Sequence, residues 1–333
     1  MSETSPAKIK IGKINQIAIV VRDIPRTIEN YWNILGIGPW VVFTFGPPVM
    51  HKQTYYGKPC PHRFSIACAQ VGSCELELLQ PLEGDTIYAD FLTEHGEGLH
   101  HIRYFVDTVG ELDKHVRVLA ELGFPSAMGG RFGDDGSYHY VDTVSGLKCI
   151  LEMVKEPSVM PKPDYRWPEN EAEESPAKIK VKNITQVALV VRDIQETIKN
   201  YWTILGIGPW DIVHCVPPLI HDLTYMGKLG DFAMKIAFAK AGDLQLEAIE
   251  PIMGDNIYSD FLAEHGEGLH HIQFYVEDQE ETARIMNKEG FPTLMRIGFL
   301  DGVSSYYDTL AALKCVWEAS QVRKTQPPMT RYP

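Results

Sequence analysis

An internal repeat constrains this chain more than any other feature. Ser5-Pro-Ala-Lys-Ile-Lys-Ile11 recurs as Ser175-Pro-Ala-Lys-Ile-Lys-Val181, and Val20-Val-Arg-Asp-Ile24 as Val190-Val-Arg-Asp-Ile194. Tyr31-Trp32 and Ile34-Leu-Gly-Ile-Gly-Pro-Trp40 return at Tyr201-Trp202 and Ile204 to Trp210, and His95-Gly-Glu-Gly-Leu-His-His-Ile102 returns at His265 to Ile272. The offset is 170 in all of these (175 − 5, 271 − 101) and 166 near the end (318 − 152), which places a few extra residues of the first copy around Gly129 to Gly136. Such self-similarity reads as one module fused to a second copy of itself. A chain of 333 residues, 44% hydrophobic and 23% charged, is long enough for two domains with their own cores. The expected boundaries are an N-terminal tail over 1–12, a first domain over 13–155, a linker over 156–182, a second domain over 183–321 and a C-terminal tail over 322–333. Residues Glu156 to Glu174 are rich in Pro, Glu and Lys, the composition of a solvated linker.

Each copy alternates strand and helix patterns. Asn15-Gln-Ile-Ala-Ile-Val-Val21 is an apolar, β-rich run. Asp23 offers an N-cap and Pro25 suits a first helical turn. Ile28, Tyr31, Trp32 and Leu35 then mark one face of a helix that Gly36 ends. Strand patterns follow at Phe64–Ala69 and Glu75–Leu79. The cycle restarts with a strand at His101–Val106, a helix over Glu111–Leu122 ended by Gly123, and strands near Tyr138–Val141 and Cys149–Val154. Each copy is therefore two β-α-β-β-β units, in the α+β class.

The net charge of −13 offers no electrostatic footprint for nucleic acid or an anionic membrane. No stretch approaches the roughly 18 apolar residues of a membrane span, and the N-terminal residues lack the apolar core of a signal peptide. The six cysteines (60, 68, 74, 149, 215 and 315) form no CxxC pair and read as reduced thiols, so the expected compartment is the cytoplasm.

Residues two apart on a strand share a face. Gln16 shares one with Ala18 and Val20; Glu77 sits within Cys74-Glu-Leu-Glu-Leu-Leu79 and Glu152 within Cys149-Ile-Leu-Glu-Met-Val154; His101 opens Ile102-Arg-Tyr-Phe-Val106. A carboxylate inside an apolar strand needs a partner, because an unpaired buried charge is costly. Two carboxylates and an imidazole satisfy one another through a divalent cation. The second copy keeps the set as Gln186, Glu247, His271 and Glu318, while polar neighbours change: Glu75 becomes Gln245, Gln80 becomes Glu250, Arg103 becomes Gln273 and Met153 becomes Ala319.

These residues give both copies a resemblance to the vicinal oxygen chelate superfamily, which includes glyoxalase I, methylmalonyl-CoA epimerase, extradiol dioxygenases and bleomycin-resistance proteins. The likeness to the epimerases runs through Gly98-Leu-His-His-Ile102, Leu76-Glu-Leu-Leu-Gln-Pro81 and Leu35-Gly-Ile-Gly-Pro-Trp40. It implies tandem domains, each a half-closed mixed sheet of paired β-α-β-β-β units around one divalent metal. The implied ligands are Gln16, Glu77, His101 and Glu152, then Gln186, Glu247, His271 and Glu318, with His100 and His270 behind them. The epimerase pattern usually has His at the first ligand. Gln there resembles a glyoxalase I site instead, and it denies either copy the two His and one carboxylate of a ring-cleaving iron dioxygenase. Where the epimerases carry an extra acid/base Glu, the nearest matches are Ser65 and Lys235.

Four protein ligands leave roughly two positions of an octahedron open, as in a catalytic site. The chemistry this implies is removal of an α-proton from a small carbonyl or thioester substrate, with the ion stabilising the enolate. The ion is Zn, Mn, Co, Ni, Mg or Fe(II). The expected function is a metal-dependent isomerase, epimerase or related lyase in a monomer or homodimer. Candidate bases are Glu152 and Glu318, Lys235, and the paired His51/His221 and Tyr55/Tyr225, which lie in a divergent loop after Gly46-Pro-Pro48 and Val216-Pro-Pro218. The competing class is a protein that sequesters a small molecule without metal.

Overall fold

In the computed structural model, which describes residues 4–170, 172–322 and 324–333, the chain divides into two compact units. One is Lys13–Lys182; the other is Asn183–Pro333 with the N-terminal segment that ends at Gly12.

The first unit opens with β1 (Gln16–Val20), α1 (Ile24–Leu35), β2 (Trp40–Phe45), β3 (Met50–Tyr55), β4 (Lys58–Pro59), β5 (Arg63–Val71) and β6 (Cys74–Glu83). After the short helix α2 (Ile87–Glu94) come β7 (Gly98–Phe105), α3 (Val109–Glu121), β8 (Ser126–Phe132), β9 (Gly136–Val141), α4 (Val144–Leu147), β10 (Ile150–Lys155) and β11 (Tyr165–Trp167). The eleven strands form one curled mixed sheet in the order β11-β2-β5-β6-β1-β7-β10-β9-β8-β3-β4. Parallel pairs β1/β6 and β7/β10 meet through the antiparallel pair β1/β7. The first and last strands of both β-α-β-β-β halves are thus the four central strands. Register shifts at Ala18/Ile19, His51/Thr54 and Arg63/Phe64 bend the sheet. The second unit repeats this strand order around its own central strands Leu244–Met253, Gln186–Val190, Gly268–Val276 and Val316–Gln321.

Local chemistry explains these elements. All five residues of β1 are buried, as a strand covered on both faces requires. Asp23 caps α1 by accepting from the Arg26 amide, and Gly36 ends the helix with φ 64°, a conformation most side chains resist. Ile28, Tyr31, Trp32 and Leu35 are its buried stripe, as their spacing predicts, and the helix packs over β5 and β6. On the other, inner face, Ala18, Val20, Phe64, Leu79, Tyr138 and Tyr140 join one apolar cluster.

Three sequence expectations change. Three of the four extra residues of the first copy lie in α3, which has 13 residues where Gln279–Lys288 has 10; the fourth lies in the turn after β8. Met50–Tyr55, read as a divergent loop, is a strand paired with β8. Parts of the expected N-terminal tail and linker are packed against the units, although most of their residues are exposed. Ala7, Ile9 and Ile11 are buried, and Ser5 Oγ and the Ile11 amide donate to the Trp202 and Leu205 carbonyls. Ala177, Ile179 and Val181 are buried too, with Ser175 Oγ and the Val181 amide donating to the Trp32 and Leu35 carbonyls of α1. Each repeated segment thus bonds to carbonyls of a helix's last turn: the backbone amide reaches Leu35 or Leu205 at its end, and the serine adds a second bond to Trp32 or Trp202, which already accept from Gly36 and Gly206. Tyr165–Trp167 and Thr330–Tyr332 add edge strands against Trp40–Val42 and Trp210–Ile212.

Candidate metal centres

The central strands set the geometry. Gln16 lies in register with Glu75 and Arg103, Ala18 with Glu77 and His101, and Glu152 with Arg103. Residues in register share a face, so Gln16, Glu77, His101 and Glu152 all project to the inner side, together with Glu75 and Arg103. Ligand atoms of Glu77, His101 and Glu152 lie within 4.8 Å of one another, as do those of Glu247, His271 and Glu318, and all six residues are buried. His101 Nε2 is 3.2 Å from Glu152 Oε2 and 3.6 Å from Glu77 Oε2; His271 Nε2 is 3.0 Å from Glu318 Oε2 and 3.7 Å from Glu247 Oε2.

Several of these buried atoms lack hydrogen bonds. Gln16 Oε1 and Glu77 Oε2 in the first set, and His271 Nε2 and Glu318 Oε2 in the second, have no hydrogen-bond partner. His271 Nε2 and Glu318 Oε2 approach closely without hydrogen-bond geometry. Unsatisfied buried polar atoms cost free energy. Amide oxygen, carboxylate oxygen and imidazole nitrogen converging on one point form a donor set that fits a divalent cation. On these grounds Gln16, Glu77, His101 and Glu152, and Gln186, Glu247, His271 and Glu318, are the residues that would hold one ion per unit.

The electrostatics follow from burial and pairing. Burial pushes the Glu77 carboxyl up, against the pull of the nearby His101. Burial acts likewise on Glu152, but His101, Arg103 and the Tyr140 hydroxyl pull it below the usual carboxylate range. Both carboxylates raise the His101 pKa against the lowering effect of burial. His100 Nδ1 lies 2.9 Å from His101 Nδ1, and burial and the His101 charge hold His100 neutral. A proton on His101 Nδ1 shared with His100 leaves the Nε2 lone pair for a cation. His270 and His271 repeat the contact at 2.9 Å.

The other candidate bases are not brought to these sets. Lys235 is in register with Glu250 and donates to its Oε1 at 2.6 Å; strand alternation turns both away from Glu247, to the face where Glu250 also accepts from the Ile194 amide that starts a helix. Its counterpart Ser65 faces Gln80 and bonds to Thr44. His51 is exposed on β3, and His221 is exposed and bound to Asp222 and the Leu300 carbonyl. Tyr55 donates to Asp90 at 2.6 Å, and Tyr225 donates to Asp260. Burial and those carboxylates raise both phenols, Tyr225 to about 12, which makes them poor bases near neutrality.

Other side chains stand where those were expected. Tyr140 and Tyr306 pack their rings against His101 and His271, with centroids 5.1 and 5.2 Å apart. Tyr88 and Tyr258 pack against His100 and His270. Both tyrosine pairs are kept in the two copies, which is the signal that marks them. Behind the first set, Glu75 Oε1 accepts from Gln16 Nε2 at 2.7 Å and from Arg103 at 2.9 Å. In the second unit, Gln186 Nε2 donates to Glu247 itself, and Gln273 replaces the arginine. That unit also has a pocket, open to solvent, whose walls include Gln186, Glu247 and Glu318 but not Lys235, His221 or Tyr225.

Comparison with known proteins agrees with this architecture. Residues 15–141 and 185–307 match the family described as the glyoxalase/bleomycin resistance protein/dioxygenase superfamily. Over 118 residues the chain is 30% identical to mitochondrial methylmalonyl-CoA epimerase of Bos taurus, a match covering 33% of this chain and 59% of the epimerase. An uncharacterized protein of Bacillus subtilis, YqjC, is 28% identical over 114 residues, covering 33% of this chain and 71% of that one. Among solved structures, a variant of 4-hydroxymandelate synthase from Streptomyces coelicolor superposes with a TM-score of 0.61 at 16% identity, covering 96% of this chain and 95% of that one, a likeness of fold alone. No helix among the described residues is long and apolar enough to cross a membrane. The chain, with one matching domain in each unit, belongs to the glyoxalase/bleomycin resistance protein/dioxygenase superfamily.

Proposed function

We propose that this protein is a divalent-metal-dependent isomerase, epimerase or related lyase that removes an α-proton from a small carbonyl or thioester substrate. The observation that carries this reading is the pair of buried Gln, Glu, His, Glu sets with unsatisfied donor atoms. When bound, a divalent ion supplies Lewis-acid polarisation of the substrate carbonyl and offsets the negative charge that builds as the proton leaves. The chain supplies the rest. A general base must come within hydrogen-bond reach of the proton it takes, and Glu318 and Glu247 are the carboxylates that line the cavity. Glu318 takes the proton at Oε2 and returns it to a neighbouring carbon for isomerisation; epimerisation requires a proton on the opposite face, given by Glu247 or by Glu318 after the enolate has turned over; for a lyase, a β-substituent departs instead. Tyr258 and Tyr306 wall the site and limit water. One His per set favours this redox-neutral chemistry over a dioxygenase facial triad.

The test is solvent exchange. Protein loaded with Mn²⁺ or Zn²⁺ is incubated in D₂O with a panel of 2-hydroxy ketones and acyl thioesters, and deuterium at the α-carbon is followed by NMR. The reading predicts incorporation that chelation stops and that Glu318→Gln abolishes. Binding of the panel without metal and without exchange would point to a sequestering protein instead.

A further inference from the structure

The two units share a ligand set but not an inner face. In the first unit Tyr138 stands where the second has Ser304: Tyr138 is in register with Gly130 and Val154, and Ser304 with Ile297 and Ser320. The Tyr138 hydroxyl reaches 3.0 Å from His62 Nε2, a residue just before β5 in the other half of the same sheet. The ring packs against Phe64, Phe132 and Tyr140, with centroids 6.0 to 6.4 Å apart. It also needs Gly130, where a Cβ would come within 2.8 Å of that hydroxyl. Tyr138 is 4% exposed. The side chain thus bridges the two halves of the first sheet over its inner face.

No such bridge exists among the described residues of the second unit. Phe232 replaces His62, Met234 replaces Phe64 and Cys215 replaces Phe45. Ser304 turns its hydroxyl to Ser320, which donates to Glu318 Oε1 at 2.6 Å. The solvent-open pocket lies here. Its walls carry Met234, Ile236, Phe238, Ile297 and Phe299, and they include no Lys, Arg or His; Gln273 takes the place of Arg103. The two wall carboxylates offset a divalent ion held between them, and no wall Lys, Arg or His is left for an anionic group on a ligand, whereas an apolar body meets complementary surface.

We propose that the second unit alone takes substrate, in the form of an uncharged carbonyl compound with an apolar body, and that the Tyr138–His62 bridge closes the first unit to it. This rests on the metal-site reading above, with Mn²⁺ as the reporter. Water-proton relaxation per bound Mn²⁺ and paramagnetic broadening of acetophenone signals are measured on single-site proteins. The first set is disabled by Glu77→Gln with Glu152→Gln, and the second by Glu247→Gln with Glu318→Gln. The protein keeping the second site is expected to relax water several-fold more and to broaden acetophenone; the protein keeping the first is expected to do neither. Tyr138→Ser should raise the first-site values, and the transplant Phe232→His, Ile297→Gly and Ser304→Tyr should lower the second-site values, so either variant suffices if the other fails to fold. Equal relaxation and broadening at both sites, or values that neither exchange moves, would overturn the proposal while leaving the metal reading intact. Absence of Mn²⁺ binding at both sites would overturn both.

Discussion

Glu75 decides which end of the Gln16 amide is offered to the first metal set. Its Oε1 already accepts from Arg103 at 2.9 Å, and as a carboxylate it has no hydrogen to give, so Gln16 meets it with Nε2, at 2.7 Å. Gln16 Oε1 is left buried and without a partner. Charge balance follows the same cluster. Glu75, Glu77, Glu152 and Arg103 sum to −2 in the first unit, as Glu247 and Glu318 do in the second, where Gln245 and Gln273 are neutral. A divalent ion neutralises either set.

Replacing Glu75 with Ala frees the Gln16 amide to rotate. The first site is expected to lose about 10- to 100-fold in Mn²⁺ affinity, the usual effect of removing a group that orients a ligand, with the second site unchanged. Calorimetric titration reads both sites.

Arg103→Gln alone leaves Glu75 without its ion-pair partner beside Glu77 and Glu152 and should cost about 2 kcal/mol of stability, less than a fully buried pair because Glu75 is partly solvated. Adding Glu75→Gln, which reproduces Gln245 and Gln273, should restore most of that loss. A double-mutant cycle in urea checks it; additive costs would dissolve the pairing.

Acid should weaken the protein through its buried histidines. Burial, with help from Arg131, pushes His139 from 6.5 down to about 4. The folded state therefore resists a proton that the unfolded chain accepts, and stability present above pH 6.5 is lost as pH falls toward 4. For this one group the loss at pH 5 is about 2 kcal/mol. His139→Ser, the residue type at position 305, should flatten the fall in Tm between pH 7 and 5. An identical slope in the variant would show that His139 is solvated.

Ile9 is fully buried although it lies in a segment that reads as a tail. Ile9→Ala should cost the second unit about 2–4 kcal/mol, seen as faster hydrogen exchange at Tyr201–Leu205 than in the parent protein. A free tail would show a change below about 0.5 kcal/mol.

The ligand strands were legible because a carboxylate or imidazole inside an apolar strand has few stable explanations, and because both copies keep it. Helix α1 was legible because its cap, apolar stripe and terminal Gly agree. The substitutions between copies were harder to interpret. Glu75 to Gln245 and Arg103 to Gln273 look like independent drift, yet they are two ends of one ion pair changing together. Ser65 to Lys235 and Gln80 to Glu250 are likewise one cross-strand pair, which turns Lys235 from a candidate base into the partner of Glu250 on the far face. Tyr138 to Ser304 and Val154 to Ser320 are a third. Each pairing depends on strand register, and one chain alone fixes register only where a face is strongly patterned. The Ser-Pro-Ala-Lys segments escaped because a few apolar residues among prolines and lysines do not reveal the surface that buries them.

The most direct test of the account is metal stoichiometry. Protein saturated with Mn²⁺, desalted and analysed by elemental spectrometry should carry two ions per chain. It should carry one after Glu77→Gln with Glu152→Gln or after Glu247→Gln with Glu318→Gln, and none when all four are combined. No ion in the parent protein, or a stoichiometry that these substitutions leave unchanged, would contradict it.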